Sequence, residues 1–172
     1  SRPSVIKSSV GAELRLFQPN QSFTLGAPRR QPGRRANEVE RLVRLERPFY
    51  LGSTEISNTQ FRRWKDEHSS GAVRGMTLDM QDQPAVNLAW EEAALFCNWL
   101  SEKEGLPSFY QIQDGKVTRF DWQSHGYRLP TEAEWAWAAK IDSEGKAVVF
   151  PWENDLYPPT EAVANYADNS AL

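Results

Sequence analysis

The sequence predicts an α+β domain built from short elements, and three observations lead there. Start signals or periodicity mark helices near Ser57, Trp90 and Thr131. Short alternating runs of strand type lie around them, one pair joined by Asp114-Gly115. The chain has 172 residues, 40% apolar and 12% aromatic with seven tryptophans. That is the size of one domain and enough to bury a core.

The elements follow in order. Residues 1–11 are polar and read as a loose lead-in to a first strand, Ala12 to Phe17, whose Leu14 and Leu16 share a face. Pro19-Asn20-Gln21 is a turn, and Ser22 to Leu25 resumes an extended run. Residues 1–21 are therefore set apart as lead-in and first strand, and 22–172 as the domain proper. Residues 26–37, rich in Gly, Pro and Arg, read as a surface loop. Arg41 to Leu45 and Phe49 to Leu51 are extended, with Pro48 bending the chain between them.

Ser57-Asn58-Thr59-Gln60 has the form of a capping box, in which each end satisfies a free backbone N–H of the other. Phe61 and Trp64 give that helix a short apolar face, and His68 to Gly75 is loop. The second helix carries Trp90, Ala93, Ala94, Cys97 and Leu100 at three- and four-residue steps, and Gly105 with Pro107 ends it. Ala89 stands at its N-cap and offers no side-chain acceptor. The Asp114-Gly115 hairpin follows. Thr131-Glu132-Ala133-Glu134 opens the third helix with another capping box, and Trp135 is expected to anchor it in the core. From Phe150 on, Pro151, Pro158 and Pro159 break any helical pattern.

Composition excludes several classes. A net charge of −3 argues against a general nucleic-acid binder. No run approaches the ~18 apolar residues of a membrane span, and the N-terminus has no apolar signal segment. One cysteine excludes an internal disulfide framework.

Candidate chemical groups are few. Glu132 and Glu134 form a carboxylate pair, but capping and the positive end of the helix dipole already account for them. Cys97 on an apolar helix face reads as a small buried hydrophobe. Arg29, Arg30, Arg34 and Arg35 form a basic cluster offset by Glu38, Glu40 and Glu46, as on a solvated loop. His68 and His125 read as surface histidines. Trp122, Trp137, Trp152 and Tyr157 either line a groove or pack in the core, and packing is the expectation for most.

The stretch Tyr127-Arg128-Leu129-Pro130-Thr131-Glu132-Ala133-Glu134-Trp135 resembles the signature of the sulfatase-modifying-factor family, whose type member is the formylglycine-generating enzyme. Other pieces match in register. Ser22 to Gly26 is similar to the opening strand, Glu55 to Phe61 to the E-V-T-N-x-Q-F segment, and Gln83 to Ala93 to the P-V-x-x-V-S-W-x-D-A helix start. Phe96 to Ser101 and Phe150-Pro151-Trp152 match as well.

The resemblance implies a C-type-lectin-like fold with short helices, twisted strands and much irregular chain. In formylglycine generators it implies two cysteines, in the back part of the domain, that bind copper and oxidise a sulfatase cysteine. No residue of this chain takes that role. The segment Ala164-Asn165-Tyr166 is similar to a calcium-binding piece of the family, which implies that Asn165 and the Tyr166 carbonyl are two of the ion's oxygen ligands. Asp168 lies nearby but matches no ligand.

Three functions are compatible. The first is a binding or scaffold module for a protein or peptide ligand, in a periplasmic or secreted setting of the bacterial envelope. The second is the front portion of a formylglycine-generating oxidase using copper and oxygen. The third is an iron oxidase of the ergothioneine-pathway type, which requires a histidine-bearing helical domain that residues 1–21 do not resemble. The last nine residues show no closing element. The domain is therefore expected to be incomplete as given, its remainder supplied by a second polypeptide or by a domain-completing dimer.

Overall fold

A computed structural model describes residues 2–19, 22–26 and 39–140. The Arg29–Arg35 cluster, Phe150-Pro151-Trp152, Tyr157, Asn165 and Tyr166 lie outside these residues. The elements in chain order are β1 (Val5–Lys7), β2 (Glu13–Phe17), β3 (Ser22–Leu25), β4 (Arg41–Arg44), β5 (Phe49–Gly52), α1 (Asn58–Arg62), β6 (Ala72–Val73), β7 (Met76–Thr77), α2 (Trp90–Lys103), β8 (Tyr110–Gln113), β9 (Lys116–Phe120) and α3 (Glu132–Ala139). They form mixed α/β structure with short helices and four small antiparallel sheets among the described residues. No described helix is long and apolar enough to cross a membrane.

The chain divides into two compact units. One comprises Ser1–Gln18 and Pro48–Leu129, the other Pro19–Arg47 and Pro130–Leu172. In the first unit β1, β2 and β5 form an antiparallel sheet with β2 in the middle. The lead-in expected over residues 1–11 is thus corrected. Val5–Lys7 pairs with β2, and a turn closed by Ser8, whose hydroxyl accepts the Ala12 N–H at 3.0 Å, tucks Val10 into the core. Val10 packs with Phe61, Phe96 and Leu100.

Helix α1 has its expected capping box. Ser57 Oγ accepts the Gln60 N–H, and Gln60 Oε1 accepts the Ser57 N–H. Helix α2 starts with only half of one. Glu92 reaches back to the Ala89 N–H at 2.9 Å, while Ala89 has no side-chain acceptor, as expected. It ends in a Schellman motif, with Leu106 N–H on the Ser101 carbonyl and Gly105 N–H on that of Glu102. The single apolar stripe expected on α2 is two faces. Phe96 and Leu100 join the first core cluster, and Ala94 and Cys97 pack with Phe109, Tyr110, Ile112 and Val117. The hairpin turns on Asp114 and Gly115, both in the left-handed region (φ 51° and 75°) as a primed turn requires.

His68, expected at the surface, is buried. Its ring stands edge-on to Phe61 at 4.7 Å, and Nε2 lies 3.2 Å from Ser70 Oγ. The loop expected over 68–75 contains β6 and runs into the β6–β7 hairpin.

In the second unit β3 pairs with β4 and α3 lies against β3. Thr131 and Glu134 close the capping box at 2.9 and 3.2 Å. The anchor is Trp137, buried and edge-on to Phe23 at 5.2 Å, whereas Trp135 is 62% exposed. Eight residues are two turns of helix, and Phe23 on the facing strand decides which of two tryptophans turns inward.

Candidate functional site: an aromatic face and a buried polar network

The β8–β9 register sets Tyr110 opposite Phe120 and brings Phe109 and Trp122, just outside the strands, to the same end. Trp90, the first residue of α2, meets Tyr110 at 5.6 Å and Phe120 at 6.3 Å. Phe120 continues to Trp122 at 6.3 Å, and Trp122 stands edge-on to Phe109 at 5.1 Å. Phe109 and Tyr110 are buried beneath, while Trp90, Phe120 and Trp122 are 47%, 49% and 56% exposed. Large rings are thus held by other rings while half open to water. Trp122 therefore departs from the expected core packing, and Trp137 follows it. Trp90, expected on the apolar stripe of α2, is instead 47% exposed, and neither it nor Phe120 or Arg128 was expected as part of an aromatic face. The Asp-Gly turn sets Gln113 opposite Lys116, but a one-residue register shift between Gln111 and Ile112 is what brings Tyr110 opposite Phe120 rather than Arg119, and no local signal announces that bulge.

The signature segment is bolted to this face. Gly126 passes so close to the Pro107 carbonyl that a Cβ would collide with its oxygen. Tyr127 N–H donates to the fully buried Ser101 hydroxyl at 2.7 Å, and its phenol donates to Glu104 Oε2 at 2.8 Å. Burial first, then that carboxylate, push the phenol's pKa up. The Arg128 guanidinium stacks over Phe109 and Trp122 at 5.5 and 5.7 Å. Leu129 N–H donates to the Tyr110 hydroxyl at 3.0 Å. Asn98 pins the hairpin to α2 by pairing with both the N–H and the carbonyl of Tyr110.

A second group looks catalytic by composition but not by geometry. Ser70 Oγ lies beside His68, yet it donates to Asn58 Oδ1 at 2.6 Å and accepts the Val86 N–H at 3.0 Å. Asp79, which would have to orient the histidine, instead accepts the Ser70 N–H at 2.7 Å and the Arg62 guanidinium at 2.6 Å. The Ser70 N–H, the Ser69 hydroxyl and Arg62 hold the Asp79 carboxyl below its usual range. The hydroxyl is buried and its proton is committed away from the histidine, so this is a structural network rather than a nucleophile with its base.

Cys97, the one cysteine, has its thiol pushed up to about 12 by burial. The partly buried side chain packs against Ala94, Phe109 and Tyr110, and its thiol is protonated at neutral pH. Glu134 is buried and spent on its cap; Glu132 lies in the first turn of α3. Among the described residues no three His, Cys, Asp or Glu side chains converge as a metal site.

Small sheets, short capped helices and a signature loop seated on aromatics define a mixed α/β domain. The chain belongs to the family described as the sulfatase-modifying factor enzyme 1-like domain, whose model matches residues 17–171. It is 29% identical over 122 residues to the chaperone protein LppX of Paenibacillus barcinonensis, covering 62% of this chain and 41% of that protein. It is 27% identical over 88 residues to the formylglycine-generating enzyme of Bos taurus, covering 51% of this chain and 16% of the enzyme. The solved structure of Treponema denticola variable protein 1 shares the fold, with TM-score 0.68 and 23% identity over 90% of this chain and 62% of that one. The chain thus spans 41% and 16% of the two curated relatives and 62% of the solved structure, less than two thirds of each.

Proposed function

We propose that this domain is a polypeptide-binding module of the sulfatase-modifying-factor family, working through its surface rather than through a thiol of its own. The observation that carries the reading is the half-exposed face of Trp90, Phe120 and Trp122, held rigid by Phe109, Tyr110 and Arg128. Tryptophans on a pinned scaffold supply contact area at little ordering cost, as binding hot spots do. The partly buried, protonated Cys97 and the LppX relative's description as a chaperone support the same reading. The probe is a reduced, carboxymethylated polypeptide that cannot refold, titrated by fluorescence anisotropy. The parent should bind it, and Trp90→Ala with Trp122→Ala should weaken binding at least about tenfold. Unchanged binding in the double variant would refute the assignment.

A second reading is favoured by the bovine relative: the front portion of a formylglycine-generating oxidase. Its copper thiolates would then be supplied by residues other than Cys97. Incubation of a cysteine-containing sulfatase peptide with the protein, copper and oxygen, followed by mass spectrometry for formylglycine, tests it. A structural calcium on Asn165 and the Tyr166 carbonyl, and completion of the domain by a second polypeptide or an exchanged dimer, belong to both readings and rest on the family resemblance.

A further inference from the structure

The chain holds two methionines, Met76 and Met80, and they are 67% and 62% exposed. Both belong to a segment fixed from below. The hairpin turns at Arg74-Gly75 and pairs Val73 with Met76. The Asn58 amide donates to the carbonyls of Leu78 and Met80 at 2.9 and 2.8 Å. Met80 N–H donates to Gln83 Oε1 at 3.0 Å, and Leu78 N–H to the Gly71 carbonyl at 2.9 Å. Val73, at 53% exposed, extends the same apolar edge. The backbone is thus immobilised while the thioethers face water.

We propose that Met76 and Met80 are an oxidation site, a pair of surface thioethers that hydroperoxides convert to sulfoxides in the folded protein. The sulfur lone pair attacks the terminal peroxide oxygen and the O–O bond breaks. The thioether loses two electrons and gains one oxygen, and the peroxide leaves as an alcohol, or as water when it is hydrogen peroxide. Two features direct the reaction here. Thioether oxidation follows exposure and needs no deprotonation. The chain's one thiol, ordinarily the preferred target, is on a packed helix face against Ala94, Phe109 and Tyr110, far less open than either thioether. The product replaces two apolar side chains by polar, hydrogen-bond-accepting sulfoxides, one of them opposite Val73, and is reversible by methionine sulfoxide reductase. This inference is independent of the ligand-binding reading above.

Hydrogen peroxide applied to the whole folded chain, with peptide mapping by mass spectrometry against the same chain in urea, tests it. The expected result is one oxygen on each of Met76 and Met80, at rates within about fivefold of the unfolded chain, with Cys97 unmodified over that interval. Far-ultraviolet circular dichroism should not change, and the M76L/M80L variant should take up no oxygen in the same time. Protection of either methionine beyond about fivefold, or oxidation of Cys97 first, would overturn the proposal.

Discussion

Asn58 is the most exacting test of how this fold is held. Its side chain is fully buried, and all three of its strong hydrogen bonds cross to distant chain. Two N–H donors go to Leu78 and Met80, and Oδ1 receives the Ser70 hydroxyl. Asn58→Ala removes three bonds at about 1 kcal/mol each, a loss of about 3 kcal/mol. Against a total of about 5–15 kcal/mol for a domain, that is a large fraction. In urea the midpoint should fall by about 1.5 M at a slope near 2 kcal/mol per M. By calorimetry the melting temperature should drop by about 6–12 °C.

The isosteric Asn58→Asp change separates donors from volume. It keeps an acceptor for Ser70 but loses both donors and sets a carboxylate against two carbonyl oxygens. It should cost at least as much as the alanine change, despite filling the same space. The introduced carboxyl is harder to ionise folded than unfolded, so its folded pKa is raised. The protein should therefore regain stability as pH falls and lose it as pH rises. An aspartate variant within about 0.5 kcal/mol of the parent would refute the view that the amide donors hold the 78–80 segment.

Other consequences are as direct. Cys97 is raised when folded, so below the unfolded thiol's range both states bind its proton and stability is unaffected. Between there and about 12 only the unfolded state ionises, and the parent should lose up to about 1.4 kcal/mol per pH unit relative to Cys97→Ala. Equal alkaline slopes in paired urea titrations would contradict it. Tyr127→Phe deletes a hydrogen bond to the Glu104 carboxylate, which also accepts the Ser9 N–H, and should cost about 1.5–3 kcal/mol in the same assay. Calcium titration by calorimetry should register binding, weakened by Asn165→Ala, and no heat in the parent would remove that site.

Much of the fold is written locally, and that part was legible. The capping boxes at Ser57 and Thr131, the bare N-cap at Ala89 and the Asp114-Gly115 turn each depend on residues a few positions apart. What escaped depends on distant partners. Residues 5–7 look like a polar lead-in until β2 pairs with them, and Val10 gains its burial from Phe61, Phe96 and Leu100. Trp135 and Trp137 are two residues apart on a helix too short for its period to choose between them. His68 is isolated in sequence, and Phe61 and Ser70 enclose it only once the chain turns back. The aromatic face was legible only as a hairpin, since the turn is local but the bulge that sets Tyr110 opposite Phe120 and the approach of Trp90 from α2 are not.

The signature segment explains why recognising the family does not by itself name the reaction. From Gly126 to Leu129 each residue meets a structural need: close passage past Pro107, the bonds of Tyr127 to Ser101 and Glu104, the stacking of Arg128, the bond of Leu129 to Tyr110. Thr131 and Glu134 are consumed in a cap. Burial first, then Glu104, hold the Tyr127 phenol protonated. The motif is a device for seating loop on helix and hairpin, and any chemistry must reside in groups the motif positions rather than in the motif. The ring that Arg128 stacks on, Trp122, stays 56% exposed, and the proposed binding face rests on it together with Trp90 and Phe120.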